Sequence, residues 1–132
     1  MYPTQSEVDR VHIMTMAKPS CVVTSSAAQS QAILACLAQA ALNDTIVCQA
    51  DGVVDDTLGV QSVTACLERA TSLPDAPVFE GGVDDDALII FTSGTTGMPK
   101  GAVLSHGHIL HEVVAGAAYF NISASDRLLS IL

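Results

Sequence analysis

A run of five apolar residues, Ala87-Leu-Ile-Ile-Phe91, leads directly into a loop of glycine, threonine and serine. An uninterrupted apolar run is typical of a strand that is buried on both faces, as in a parallel sheet. Short apolar runs alternate with helical patterns along the rest of the chain. The sequence therefore predicts an α/β fold of alternating helices and mainly parallel strands.

Local start and stop signals mark the other elements. A cap at Ser6 begins a predicted helix that Pro19 ends. Within it, apolar residues recur with helical spacing at Val8, Val11 and Met14. Further strands are predicted at residues 21–24, 45–48, 102–104 and 127–132, the first of them buried. A second helix is predicted after Ser25 or Ser26, with an apolar side of Ile33, Leu34, Leu37 and Leu42. A third is predicted around Val60, Val63, Leu67 and Ala70, and a fourth from Ser105 to about Tyr119. Loops are predicted at residues 51–58 and 71–86.

The chain is acidic, and half of it is apolar. Its 132 residues are enough for one domain with a core, and a hydrophobic content of 49% argues against disorder. Five Lys and Arg against 14 Asp and Glu give a net charge of −9. A chain with so few basic residues lacks a surface for a nucleic-acid backbone, so we exclude nucleic acid as a partner.

Neither an export signal nor a membrane-spanning run is visible in the sequence. We therefore expect a cytoplasmic protein without a transmembrane segment. In that setting its four cysteines are expected to be reduced thiols in the core, at Cys21, Cys36, Cys48 and Cys66.

The chemistry of the chain is concentrated in the loop at residues 91–101. Glycines let main-chain amides turn inward and approach an anion, and hydroxyls add neutral donors. Lys100 supplies a flexible positive charge, and Pro99 stiffens the chain before it. The loop is not a Walker A motif, because Pro99 and Gly101 flank the lysine, and no helix is predicted to begin there. The alternative is a purely structural Gly/Thr hairpin.

The order of residues in this loop resembles the phosphate-binding signature of the acyl-adenylate-forming (AMP-binding) superfamily. That signature is an aromatic residue, T-S-G-T-T-G, any residue, P-K-G, a short apolar stretch and then Ser/Thr-His. Residues 91–101, followed by Ala102-Val-Leu104 and Ser105-His106, match every constrained position. Weaker similarity covers nearly the whole chain and is closest to fatty-acid and acyl-CoA ligases, as part of the large N-terminal domain.

The resemblance implies a two-step reaction. ATP and a carboxylic acid give an acyl-adenylate and pyrophosphate, and coenzyme A then takes the acyl group. The implied cofactor is ATP with Mg²⁺, although the metal ligand is not in this chain. The resemblance assigns ATP phosphate binding to the following loop residues: Thr92, Ser93, Gly94, Thr95, Thr96, Gly97 and Lys100.

The sequence lacks other parts that the resemblance implies. It has neither the Tyr-Gly-x-Thr-Glu segment for adenine and metal nor the catalytic lysine of a C-terminal domain. The last predicted strand also reaches residue 132, where natural domains rarely stop. We therefore expect residues 1–132 to be a single partial AMP-binding domain without catalytic residues of its own, a truncated ligase that is nearly inactive. Fatty acid and coenzyme A would be partners only if the missing regions were supplied.

Two polar clusters have simpler interpretations than metal binding. His108 and His111 share a predicted helix face near His106, but no paired cysteines complete a zinc site. The acidic run Asp84-Asp-Asp86 lacks the spacing of a calcium loop and is expected to be a solvated loop. We predict no metal ligands. Two functional alternatives stay open: a non-catalytic nucleotide-binding or interaction module, and an inert remnant that folds poorly.

Overall fold

A computed structural model describes residues 5–75, 80–92 and 97–127 of the chain. The chain divides into two compact units. The first contains Met1–Pro77 and Phe91–Gly101, and the second contains Val78–Ile90 and Ala102–Leu132.

A three-stranded parallel sheet organises the first unit. Its strands are β1 (Cys21–Thr24), β2 (Ile46–Gln49) and β3 (Gln61–Ser62) in that spatial order, and Val22 of β1 pairs with Val47 of β2. This confirms the predicted α/β class with parallel strands. In chain order, the elements are α1 (Glu7–Ala17), β1 (Cys21–Thr24), α2 (Ala27–Gln39), β2 (Ile46–Gln49), a short 3-10 helix (Asp56–Leu58), β3 (Gln61–Ser62) and α3 (Val63–Ala70).

Hydroxyl caps set the starts of the helices in this unit. Ser6 accepts a hydrogen bond from the Asp9 amide at 3.1 Å, which confirms the predicted cap of α1. Of the two candidates for α2, Ser26 is the cap. At the end of α1, Lys18 adopts a left-handed conformation with φ of 44°, and Pro19 follows. Local chemistry therefore accounts for these boundaries.

The core lies between the helices and one face of the sheet. α1 packs on α2, and α2 packs on β1 and β2. The buried apolar cluster contains Met14 of α1, Ile33 and Leu37 of α2, Val47 of β2, and Val60, which lies just before β3. Leu34 packs against it, which confirms the predicted apolar side of α2 for Ile33, Leu34 and Leu37. Leu42 also packs against the cluster, but it lies beyond the end of α2 at Gln39, so its predicted place on the helix is wrong. Each buried side chain of this size contributes about 1.5–3 kcal/mol.

A buried polar network lies on the same face of the sheet. The hydroxyls of Thr24 and Ser30 are 2.7 Å apart, and the Ser30 hydroxyl donates to Gln49 Oε1 at 3.1 Å. Gln49 Nε2 donates to the carbonyl oxygens of Asp51 at 2.6 Å and Val53 at 3.2 Å. Because these buried groups satisfy one another, the network fixes the loop that leaves β2.

The opposite face of the sheet carries exposed apolar side chains. Val23 is 66% exposed and Ile46 is 47% exposed. The prediction that residues 21–24 form a buried strand is therefore correct for the strand and wrong for its burial. The prediction of core thiols is correct for Cys36, which is buried, and wrong for Cys21, which is exposed, and for Cys48 and Cys66, which are half-buried. α2 covers one face of these strands, and alternate residues point to the other.

β4 (Asp86–Thr92) and β5 (Lys100–Ser105) form a separate two-stranded sheet. Both strands were predicted, although β5 is longer than expected. Leu88, Ile89 and Ile90 are each between 44% and 46% exposed, so the predicted burial of β4 on both faces is wrong. Within the described part of the chain, β4 has only β5 beside it, and a two-stranded sheet leaves its faces open.

α4 (His106–Tyr119) follows β5 directly and confirms the helix predicted after Ser105. Ser105 and His108 form a reciprocal capping box at its start. The strand predicted at 127–132 is not observed at Arg127, and residues 128–132 lie outside the described ranges. Within those ranges, none of the helices has the length and apolar character required to cross a bilayer.

Candidate functional site

The candidate phosphate loop joins the ends of two paired strands. Thr92 is the last residue of β4, and Lys100 is the first residue of β5. Four of the predicted binding residues, Ser93, Gly94, Thr95 and Thr96, lie outside the described residues. The described members are Thr92, Gly97 and Lys100, and all three are exposed. A strand begins at the lysine, which confirms that no helix starts there.

Gly97 has open space around it. A Cβ atom built at this position would meet no heavy atom within 4 Å. Its main chain is therefore accessible to an approaching ligand. Pro99, two residues later, is buried. The described end of the loop thus passes from an exposed glycine, through a buried proline, to an exposed lysine.

The buried proline is held by the first helix. His12 Nε2 lies 3.0 Å from the carbonyl oxygen of Pro99, in a contact that spans 87 residues of sequence. Because a carbonyl oxygen only accepts, we assign the proton of this bond to Nε2. Sequence reasoning missed this residue. A lone histidine in an amphipathic helix gives no local signal for a partner so far along the chain.

The segment after the lysine is fixed at the start of α4. The His106 amide donates to the Asp85 carbonyl at 3.0 Å, and the Gly107 amide donates to the Val83 carbonyl at 2.7 Å. The Gly82 amide donates to the Asp85 carboxylate at 2.7 Å. Two amides at the helix start are therefore occupied by protein carbonyls. Asp84 and Asp85 of the acidic run lie in a turn that contacts this helix end, and Asp86 begins β4.

His108 caps the start of α4, and His108 and His111 line an apolar groove. His108 Nδ1 accepts from the Ser105 amide at 3.1 Å. His108 and His111 line an apolar groove of about 440 Å³, together with Leu104, Ile109, Glu112 and Val113. Across residues 5–75, 80–92 and 97–127, no three His, Cys, Asp or Glu side chains are grouped so as to hold a metal ion.

Among the described residues, Cys48 and Asp55 have shifted pKa values. Burial raises the pKa of the Cys48 thiol to about 11, and the neighbouring thiols of Cys21 and Cys66 add to the effect. The sulfur atoms of Cys21 and Cys48 are 3.9 Å apart. At Asp55, hydrogen bonds from the Thr57 hydroxyl and amide lower the pKa of the carboxyl. Both residues lie in the first unit, outside the loop.

Two of the curated proteins with similar sequences are ligases. The long-chain-fatty-acid–CoA ligase FadD13 of Mycobacterium tuberculosis is 40% identical over 88 residues, which are 65% of this chain and 17% of that protein. The long-chain-fatty-acid–[acyl-carrier-protein] ligase AEE15 of Arabidopsis thaliana is 47% identical over 49 residues, which are 37% of this chain and 7% of that protein. The chain thus spans less than a fifth of the length of these relatives.

A solved structure and a family model cover more of the chain. The luciferase-like enzyme of the mealworm Zophobas morio superposes with a TM-score of 0.63 at 22% identity, over 90% of this chain and 26% of that one. That likeness supports the fold. The family model described as AMP-binding enzyme matches residues 1–132. From one end to the other, the chain belongs to the AMP-binding enzyme family.

Proposed function

We propose that the loop at residues 91–101 binds the phosphates of ATP. The observation that carries the proposal is the order of residues between Thr92 and Lys100, placed between the ends of two paired strands. The exposure of Thr92, Gly97 and Lys100 supports it, since each can meet a ligand without rearrangement of the interior. Ser93, Gly94, Thr95 and Thr96 belong to the same proposed set.

The roles in this site follow from the donors that each residue offers. The Thr92 hydroxyl donates a neutral hydrogen bond, and the main chain at Gly97 can approach a phosphate closely. Lys100 supplies the positive charge, and its flexible stem lets the ammonium follow the outer phosphates. Mg²⁺ would neutralise part of the remaining phosphate charge, through ligands that we do not assign to this chain.

We propose that the site serves a ligase that activates a fatty acid as its acyl-adenylate and transfers the acyl group to coenzyme A. The support is the family together with the identity to the fatty-acid ligase FadD13. We further propose that residues 1–132 form part of a single domain of that family. Because catalysis requires several groups held together, phosphate contacts alone should give almost no turnover.

The two lysines of the chain provide a matched test of phosphate binding. Lys18 and Lys100 are both exposed, and replacement by glutamine makes the same change of charge at each. Loss of one charge-assisted contact predicts that Lys100→Gln weakens Mg·ATP binding about tenfold or more, as measured by calorimetry. Lys18→Gln should leave the affinity nearly unchanged. Equal effects of the two substitutions would contradict the proposed site.

The purified native chain also tests whether residues 1–132 catalyse adenylation by themselves or only bind ATP. Pyrophosphate exchange into ATP in the presence of a fatty acid reports the adenylation step directly. We expect saturable binding of Mg·ATP without measurable exchange, which also fits the alternative of a non-catalytic nucleotide-binding module. Substantial exchange by the 132-residue chain would show that the chain is catalytic by itself.

A further inference from the structure

We propose that His12 is a positioning residue for the lysine end of the phosphate loop. It acts through its hydrogen bond to the Pro99 carbonyl and does not contact the nucleotide. This inference rests on the proposed phosphate-binding function of the loop. It adds to the proposed site a residue of α1, which lies far from the loop in the sequence.

The bond joins a fixed helix to a buried residue of the loop. Ile13 and Met14, which follow His12 in α1, are 7% and 3% exposed, so the helix is anchored in the core of the first unit. His12 itself is half-buried, and Pro99 is buried. The distance of 3.0 Å between Nε2 and the carbonyl oxygen is that of a good hydrogen bond.

The Pro99 carbonyl has a direct geometric link to Lys100. The two residues share one planar peptide group, in which the carbonyl of Pro99 and the N–H of Lys100 point in opposite directions. When His12 fixes the carbonyl, it also fixes the direction of the Lys100 amide and the course of the chain into β5. The side chain of Lys100 therefore leaves a main chain whose orientation is already set.

Proline makes this bond especially important at its position. Pro99 has no N–H, so its carbonyl is the only main-chain polar group that can tie the residue to the protein. A buried carbonyl without a partner is unfavourable, which drives the segment to keep its contact with His12. The neutral imidazole with its proton on Nε2 and the imidazolium both donate from that nitrogen, so the bond does not depend on the charge of the ring.

Three substitutions in α1 test the role. His12→Ala removes the donor, His12→Gln offers an amide N–H of similar reach, and Thr15→Ala is a control at an exposed position of the same helix. Because His12→Ala removes the bond that orients the lysine end of the loop, it should weaken Mg·ATP binding about fivefold. His12→Gln should recover most of the affinity, and Thr15→Ala should match the native chain. Melting temperatures identify any variant whose loss comes from unfolding.

A spectroscopic measurement reads the position of the loop without nucleotide. The amide resonance of Lys100 should shift in His12→Ala and return toward its native position in His12→Gln. Long-range proton–nitrogen spectra of the native chain should show His12 with a proton on Nε2. A merely structural role for His12 would lower the melting temperature without a selective change at Lys100.

The outcomes distinguish this inference from the function on which it rests. If the native chain binds Mg·ATP, Lys100→Gln weakens binding and folded His12→Ala binds as the native chain does, the positioning role is wrong and the phosphate site stands. The same holds if the Lys100 resonance does not move in His12→Ala. If the native chain binds no Mg·ATP, the proposed function is wrong and the positioning role falls with it.

Discussion

The amide of Gly107 approaches the main chain of Val83 closely enough to exclude a side chain at position 107. The amide donates to the Val83 carbonyl oxygen at 2.7 Å, and a Cβ built on Gly107 would lie 2.9 Å from that oxygen. We expect Gly107→Ala to destabilise the chain by about 1–2 kcal/mol, since a backbone overlap outweighs the gain in helix propensity. Chemical denaturation measures this change.

Gly116 in the same helix provides the control. A Cβ at that position meets no atom within 4 Å. Gly116→Ala should therefore be neutral or stabilise the chain by up to about 1 kcal/mol, because only the helix propensity changes. If the two alanine variants had the same stability, the contact between Gly107 and Val83 would not constrain the fold.

The buried amide of Gln49 should be far more important for stability than an exposed amide. Gln49 is 2% exposed and links Ser30 to the carbonyls of Asp51 and Val53. Gln49→Met removes the hydrogen bonds to the carbonyls of Asp51 and Val53 and one of the contacts of the Ser30 hydroxyl, so we expect a loss of about 1–3 kcal/mol in the free energy of unfolding. Urea denaturation gives that value.

A matched change is available at Gln39. Its Nε2 donates to Glu7 Oε1 at 2.6 Å, but the pair is exposed. Gln39→Met should change the free energy of unfolding by less than about 0.5 kcal/mol. A cost at Gln39 equal to that at Gln49 would show that burial does not decide the strength of these bonds.

Burial should likewise decide how much stability is lost when a leucine is replaced by alanine. Leu37 is 3% exposed and belongs to the buried cluster, whereas Leu67 on α3 is 64% exposed. Leu37→Ala should lower the free energy of unfolding by about 2–5 kcal/mol through lost burial and the resulting cavity. Leu67→Ala should cost less than about 0.5 kcal/mol. Thermal and urea unfolding of both variants check the difference, and a comparable cost at Leu67 would contradict the packing of α3.

The Cys48 thiol should make stability fall at alkaline pH. Its pKa rises from 9.0 to about 11 on folding. Between these values the unfolded chain has lost the proton that the folded chain retains, so rising pH favours unfolding. The stabilisation is complete below pH 9.0 and is lost as the pH passes about 11.

Unfolding free energies measured across that interval test the assignment. Cys48→Ala should reduce the slope of stability against pH, whereas Cys36→Ala should retain it because Cys48 is intact. Cys36 is a suitable control because it is buried, at 1% exposure. An unchanged slope in Cys48→Ala would assign the alkaline loss of stability to other groups.

The elements that local chemistry determines were predictable from the sequence. Ser6 and Ser105 could be identified as caps because a hydroxyl at a helix start acts on amides two or three residues away. The two-residue strand β3 at Gln61–Ser62 was missed, since it exists through pairing with β2 and has no pattern of its own. The apolar run in β4 identified a strand correctly, but its exposure depends on neighbouring elements that the run does not specify.

The same difference between local sequence signals and tertiary contacts applies to the candidate site. The loop sequence predicts Thr92, Gly97 and Lys100 as phosphate-binding residues, because residue types in a fixed order carry that information locally. It gave no indication of His12, whose relevance comes from a contact across 87 residues. The network of Thr24, Ser30 and Gln49 was equally invisible, because polar residues in a sequence do not reveal which of them the fold will bury together.

The long separation between His12 and Pro99 has a consequence for how the chain acquires its loop geometry during synthesis. Closing a chain segment of 87 residues costs about 4 kcal/mol of entropy, plus a constant, before the contact contributes anything. During synthesis, His12 leaves the ribosome 87 residues before the partner carbonyl does. Until that carbonyl emerges, His12 has no hydrogen bond to make with the loop, so the proposed orientation of Lys100 can be set only after residue 99 has been synthesised.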